Sequence, residues 1–314
     1  MSQPEGRTQF MILCFLTTAV LMHNMIRQGS GSWHRRAVLV FLPWILLFTD
    51  AQADGWSKRD TADTYLSTGV RGFSGQQYFG PEGEIVDVHR IQEQTIWLSS
   101  VHAYSKYVMG IVQIPVFRKL YVQESPEDRL LSVQSPGDVD LGLRLHLFPG
   151  SRHILHFTAL FGIPLGEATQ SDGLWAGDDE YNQLISLGYE YCFVAIPVHW
   201  TAEIGYDLRS AGYADELHLR AGLSVYPWER LRLGVKADLL SGQGNGNAAF
   251  TGGSFGFAGN NRRYLLYGAE AALLLTDGMG LNFGAYTVTN ARNMPSSLFL
   301  TSGVFFLISP SGRR

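Results

Sequence analysis

Between Pro197 and Leu240 the side chains alternate between apolar and polar, residue by residue, in three successive runs. Val198, Trp200, Ala202, Ile204, Tyr206 and Leu208 are interleaved with His199, Thr201, Glu203, Gly205, Asp207 and Arg209. The next run sets Leu217, Leu219, Ala221, Leu223 and Val225 against Glu216, His218, Arg220, Gly222 and Ser224. The third sets Leu231, Leu233, Val235, Ala237 and Leu239 against Arg230, Arg232, Gly234, Lys236 and Asp238. Strict alternation specifies β-strands with unlike faces, because successive side chains leave opposite sides of a sheet. A soluble antiparallel sandwich is the competing reading. The apolar face, however, is partly aromatic and free of charge for about ten residues per strand, the length a tilted strand needs to cross a bilayer.

The front of the chain carries the parts of an export signal in order. His34-Arg35-Arg36 precedes an apolar run from Ala37 to Phe48, and Ala51-Gln52-Ala53 then stands before Asp54-Gly55. Cleavage is expected after Ala53, so that residues 1–53 are an N-terminal extension and signal peptide and residues 54–314 are the exported barrel. A helical anchor is the weaker alternative, because the apolar run is short for a bilayer span. A second apolar stretch, Phe10 to Met22, is more than a signal requires, and initiation at Met25 would give one of ordinary length. Cys14 follows Leu13 rather than a small residue, unlike a lipoprotein acceptor.

Of 24 basic and 28 acidic side chains, the first 53 residues hold Arg7, Arg27, Arg35 and Arg36 against Glu5 and Asp50. The remaining 20 basic and 26 acidic groups give residues 54–314 a net charge of −6, which argues against nucleic-acid binding. Cys192 is the only cysteine among them, so neither an internal disulfide nor a C-x-x-C zinc site is expected.

The fold class expected is all-β, a transmembrane antiparallel up-and-down barrel of about 12 strands. The strands fall at about 63–73, 91–104, 106–117, 138–148, 153–164, 182–191, 196–209, 215–226, 230–240, 263–276, 279–288 and 298–308. Every second connection is tight: Ser105, Pro149–Arg152, Cys192–Ala195, Pro227-Trp228-Glu229 and Asp277-Gly278. The others run long from Ser74, Arg118, Leu165, Ser241 and Thr289, with Ser210–Ala214 the short exception. Short periplasmic turns and long external loops are the asymmetry of outer-membrane barrels, and an even strand count returns both ends to the periplasm. Thr301–Ile308 resembles the C-terminal recognition signal of such barrels, although Ser309 to Arg314 follow it.

Four segments carry a family resemblance across residues 104–246. Gly137-Asp138-Val139-Asp140-Leu141-Gly142-Leu143-Arg144, Phe161-Gly162-Ile163-Pro164-Leu165-Gly166, Gly177-Asp178 and Glu203-Ile204-Gly205-Tyr206 resemble the outer-membrane transporters named after the MetA pathway of phenol degradation. The chain departs from that pattern at Leu165, where the family usually has threonine. The resemblance implies passage across the outer membrane, with hydrophobic or aromatic compounds as the solute class.

Function is expected in the inward-facing set: Arg144, His199, Glu203, Asp207, Glu216, His218, Arg220, Arg232, Lys236 and Glu270. Two readings stay open. These groups line a water-filled path that orients a polar solute, or they pair into a closed network that fills the interior and leaves a structural or secretion-accessory barrel. Glycines at inward positions, among them Gly142, Gly188, Gly205, Gly222 and Gly234, either leave room for a path or ease strand bending. The loop Ser241 to Arg262 places Phe250, Phe255 and Phe257 at the mouth, where it folds inward, captures an apolar ligand or stays disordered. An enzyme is not expected, since no histidine has the serine and asparagine spacing of the outer-membrane phospholipase, and Gly253-Ser254-Phe255-Gly256 lacks the frame of a nucleophile elbow. Gly242–Asn247 opens no helix and is read as a flexible loop. Asp178-Asp179-Glu180 lacks the spacing of a calcium loop and is read as solvated acid. No cofactor and no metal are expected. The partners expected are outer-membrane lipids, a small-molecule solute and the barrel-assembly machinery, with a homo-oligomer left open.

Overall fold

The computed structural model describes residues 63–124, 129–149, 152–168, 172–193 and 196–309. The signal segment, its cleavage site and the upstream apolar stretch lie outside the described residues. Among those described there is no helix and there are fourteen strands. They are β1 (Thr64–Phe79), β2 (Ile85–Ala103), β3 (Val108–Gln123), β4 (Leu130–Ser135), β5 (Val139–Pro149), β6 (His153–Ile163), β7 (Asn182–Cys192), β8 (Val198–Arg209), β9 (Glu216–Trp228), β10 (Leu231–Gly242), β11 (Arg263–Thr276), β12 (Met279–Arg292), β13 (Met294–Pro295) and β14 (Leu298–Ile308). Twelve pair antiparallel in chain order, β4 and β13 standing aside, and β14 returns to β1 to close the barrel. Closure leaves none of the twelve wall strands with a free edge along the barrel, as a bilayer demands, and only β4 and β13 pair on a single side.

Register aligns like with like. Ala202, Ala221 and Ala237 are cross-strand partners on one face, and Glu203, Arg220 and Asp238 are partners on the other. A slip of one residue would exchange the two faces. Leu187, Ile204, Leu219, Leu223 and Val235 are exposed on the outer wall. Tyr104, Tyr107, Phe148 and Trp228 ring it at the tight-turn end, and Phe161, Tyr181 and Tyr206 at the loop end. An apolar wall of this extent, bounded by two aromatic girdles, fits a bilayer and would aggregate in water.

Two connections expected to be long are mostly strand. β1 and β2 continue to Phe79 and from Ile85, and Gly80 N–H donates to the Glu84 carbonyl at 2.8 Å across the turn. β3 runs to Gln123, and β4 folds back on it from Arg118↔Ser135 to Gln123↔Leu130. Above the bilayer neither face must be apolar, so alternation lapses while backbone pairing goes on. A bulge at Gly75/Gln77 shifts the register there, and another at Ile96/Trp97 accommodates Pro115, which has no N–H to donate.

Inside the loop end of the barrel lies an apolar core. Phe73, Ile91, Leu120, Val122, Val133 and Phe299 project into it from the strands, and Leu174, Ala176 and Phe257 reach it from two loops.

Candidate functional site

The inward faces of β6 to β10 form a ladder of charge. Glu203 Oε1 accepts from Arg220 Nη1 at 3.0 Å, and Arg220 Nε lies 3.5 Å from Asp238 Oδ2. His156 stands between Glu190 and Glu203, at 3.7 and 3.6 Å, and His199 Nε2 is 3.2 Å from Glu190 Oε2. Arg144 on β5 donates to Thr158 Oγ1 at 3.1 Å. On the adjoining β11, Glu270 accepts from Tyr286 Oη at 2.6 Å and has Arg232 at 3.7 Å and Lys236 at 3.9 Å, both on β10. Arg220, Arg232 and Lys236 thus each face a carboxylate.

The rung at the loop end is built around Arg209. Its guanidinium donates to Glu216 at 2.7 Å, to Asp178 at 2.9 Å and to Glu180, and it lies over the Tyr213 ring at 4.2 Å. Arg262 donates to both oxygens of Glu216, at 3.0 and 2.9 Å. Asp178 and Glu180 are therefore not solvated acid: Glu180 is 1% exposed, and Arg209 joins both to the wall. Burial, opposed by Arg209 and reinforced by Asp178, pushes the Glu180 carboxyl up to about 9.

Asp138, at the entrance to β5, gathers three of the four dispersed segments that carry the family resemblance. It accepts from the backbone N–H groups of Leu165, Gly166 and Asp178 at 3.1, 2.9 and 3.0 Å. Gly166 and Gly177 pack against each other, and a Cβ on Gly166 would lie 2.6 Å from Gly177 Cα. The Gly-Asp, Leu-Gly and Gly-Asp pairs, separate in sequence, are one staple that ties residues 164–168 and 172–178 to the entrance of β5. Burial and Asp178 raise the Asp138 carboxyl above its usual range.

The loop after β10 folds inward as well. Phe257 is 1% exposed, stacks on Phe73 at 5.9 Å and carries the Arg118 guanidinium 5.9 Å from its ring centre. Phe255 meets Tyr78 edge-on at 5.6 Å, and Phe250 meets Tyr213 at 4.9 Å. Asn245, within the glycine-rich stretch, accepts from Asp215 N–H and donates to its carboxylate, which is a structural tie. The glycines facing inward do not leave room for a path. The His156 ring fills the place of a Cβ on Gly188, and Thr201 Oγ1 lies 2.7 Å from that of Gly222.

Below these closures the lumen holds a cavity of about 570 Å³, bordered by Arg71, Thr95, Trp97, Arg232, Glu270 and Tyr286 among others. Alternation did not single out Arg71, Glu93 and Arg118, which form a second ion cluster on β1 to β3, with the buried Glu93 3.0 Å from the exposed Arg71 and 3.5 Å from the half-buried Arg118. Polar residues occupy both faces of Gln92–Thr95, so the sequence there hides which side points inward. Glu190 and His156 were legible in principle, as period-two companions of Gly188 and Thr158.

A closed antiparallel barrel with a lipid-matched outer wall and a paired, polar interior is a transmembrane barrel of the bacterial outer-membrane type. No protein-family model matches the chain, and no curated protein matches it. The COG4313 outer membrane channel from Pseudomonas putida F1 is similar in fold, with a TM-score of 0.62 and 14% identity over 82% of this chain and 100% of that one. The translocator domain of autotransporter NalP from Neisseria meningitidis is also similar, with a TM-score of 0.51 and 13% identity over 81% and 91%.

Proposed function

We propose that the barrel is an outer-membrane channel or transporter for small solutes, exported after cleavage at Ala53 and inserted with its loops outside the cell. The lumen cavity carries the reading. At about 570 Å³ it falls in the size range of small-molecule sites, and its lining combines charged groups, Arg71, Arg232 and Glu270, with the aromatic rings of Trp97 and Tyr286. Such a lining suits a solute with an aromatic or otherwise apolar body and a polar end. The similar fold of a Pseudomonas putida outer membrane channel and the segments resembling MetA-pathway transporters support the same class.

The inward-folded loops favour one addition to this reading, a passage gated at its extracellular end. Leu174, Ala176 and Phe257 are buried beneath it, so a solute passes only when the loops part. Planar-bilayer recording tests both points. Low conductance is expected from the wild type and higher conductance from Phe257→Ala, with Arg232→Glu moving the reversal potential towards cations. No current from either at any voltage, with stability lost in Arg232→Glu, would favour a closed structural barrel instead.

A further inference from the structure

We infer that Asp207, Glu216 and His218 form a binding site for one first-row divalent metal ion, with zinc preferred, at the extracellular end of the lumen. Asp207 and Glu216 are direct cross-strand partners on β8 and β9, and His218 follows two residues along β9 on the same face. One carboxylate oxygen from each acid and one ring nitrogen of the histidine lie within 4.8 Å of one another, and all three residues are buried. From that spread, small side-chain adjustments bring the three donors onto one ion at about 2.0–2.2 Å each.

Two of the three donors have nothing else to do. Glu216 is held by Arg209 and Arg262. Asp207 Oδ1 and His218 Nε2 are buried atoms without a hydrogen-bond partner, in residues that are each 8% exposed. A buried carboxylate directly opposite a second one, with an unengaged oxygen, is unfavourable unless something bridges them. His218 Nε2 points the same way, 3.8 Å from Glu216 Oε2. Glu216 can serve both roles, since an oxygen that accepts from Arg262 keeps a second lone pair. Ligation through Nε2 places the ring proton on Nδ1 and gives up only a long contact, 3.4 Å, to Arg220 Nη2.

The surrounding charge supports a cation. The carboxyl groups of Asp178, Glu180, Asp207 and Glu216 share two guanidiniums, Arg209 and Arg262. Asp140 on β5 adds a further negative field at Asp207. Asp238 on β10 offsets Arg220 on the other side of His218. With Glu180 protonated, the carboxylates of Asp178, Asp207 and Glu216 against Arg209 and Arg262 leave one negative charge in surplus, which favours a cation at their centre. One nitrogen and two carboxylate oxygens select a borderline ion such as Zn²⁺ over Ca²⁺ or Mg²⁺, which take shells of oxygen.

The test uses the barrel purified from outer membranes, stripped with a chelator and titrated with zinc alone. One zinc per barrel should survive desalting, the thermal midpoint should rise, and Co²⁺ in its place should show visible ligand-field bands. His218→Ala and Asp207→Asn should each weaken zinc binding on the order of tenfold or more while keeping the heat-modifiable mobility of a folded barrel. His199→Ala, which removes a histidine of the lower rung, should leave it unchanged. The proposal is overturned by unaltered zinc binding in His218→Ala, by loss of binding in His199→Ala alone, by no retained zinc in the wild type, or by Ca²⁺ or Mg²⁺ displacing zinc at equal concentration.

Discussion

The two sides of the lumen are built from the same antiparallel wall but close it by different chemistry. On β1 to β3, with β12 and β14, the inward face at the loop end carries an apolar cluster beside the Arg71–Glu93–Arg118 group, and Phe73, Ile91, Leu120 and Phe299 draw Leu174, Ala176 and Phe257 down from the loops. On β6 to β10 the inward face is charged. There it is satisfied mainly within the wall, by neighbours such as Glu203 with Arg220 and His199 with Glu190. An apolar inner surface has to be covered by something from outside the wall. A charged one can be paired by the next strand, and only the topmost rung, at Arg209, recruits a loop.

Breaking each closure separately sharpens the contrast. Arg209→Met should have the largest effect, since it strands Asp178, Glu180 and Glu216, and removal of one partner from a buried ion cluster costs about 3–5 kcal/mol. Denaturant unfolding measures this, and proteolysis at the 164–181 loop should accelerate. Phe257→Ala should cost about 3 kcal/mol, the lower end for a buried phenylalanine, because a loop can settle into the space. Its unfolding midpoint should fall while the Arg209 rung stays protected from proteolysis. Equal loss of protection at both loops would mean that the two closures are one unit.

Leu219→Arg and Ser224→Arg compare the outer and inner faces of one strand. The first puts a cation against lipid at a cost of about 2–4 kcal/mol, and the second should fold with near wild-type yield in a heat-modifiability assay. Equal yields would contradict the register. The Arg209 rung should also respond to pH. Folding raises the Glu180 carboxyl from 4.5 to about 9, so its contribution is whole below pH 4.5 and is lost as pH climbs towards 9. Thermal midpoints should therefore fall across that window, and Glu180→Gln should flatten the slope. Lys236→Met should have the smallest effect, under about 1 kcal/mol, because its 3.9 Å pair with Glu270 is partly exposed.

Period-two alternation was enough to place all twelve wall strands, because lipid on one side and a polar lumen on the other impose a rule on every residue between. β5 to β12 and β14 begin and end within a few residues of where the pattern does. β1, β2 and β3 outrun it, since above the bilayer the rule no longer holds. The same limit explains the functional residues. The pattern grouped Glu203, Arg220 and Asp207 on one face, whereas Arg71, Glu93 and Arg118 lie where both faces are polar and were missed.

What the sequence by itself determined is the wall: its strand count, its two faces and its asymmetry of turns and loops, all consequences of local periodicity. What only the tertiary structure decided is the interior. That Asp138 staples Gly166 to Gly177, that Arg209 ties Asp178 and Glu180 to Glu216, and that Phe257 lies on Phe73 depend on contacts between positions far apart in the chain. Closure of the barrel creates that proximity, and no local pattern along the chain encodes which loop a given inner face will bind.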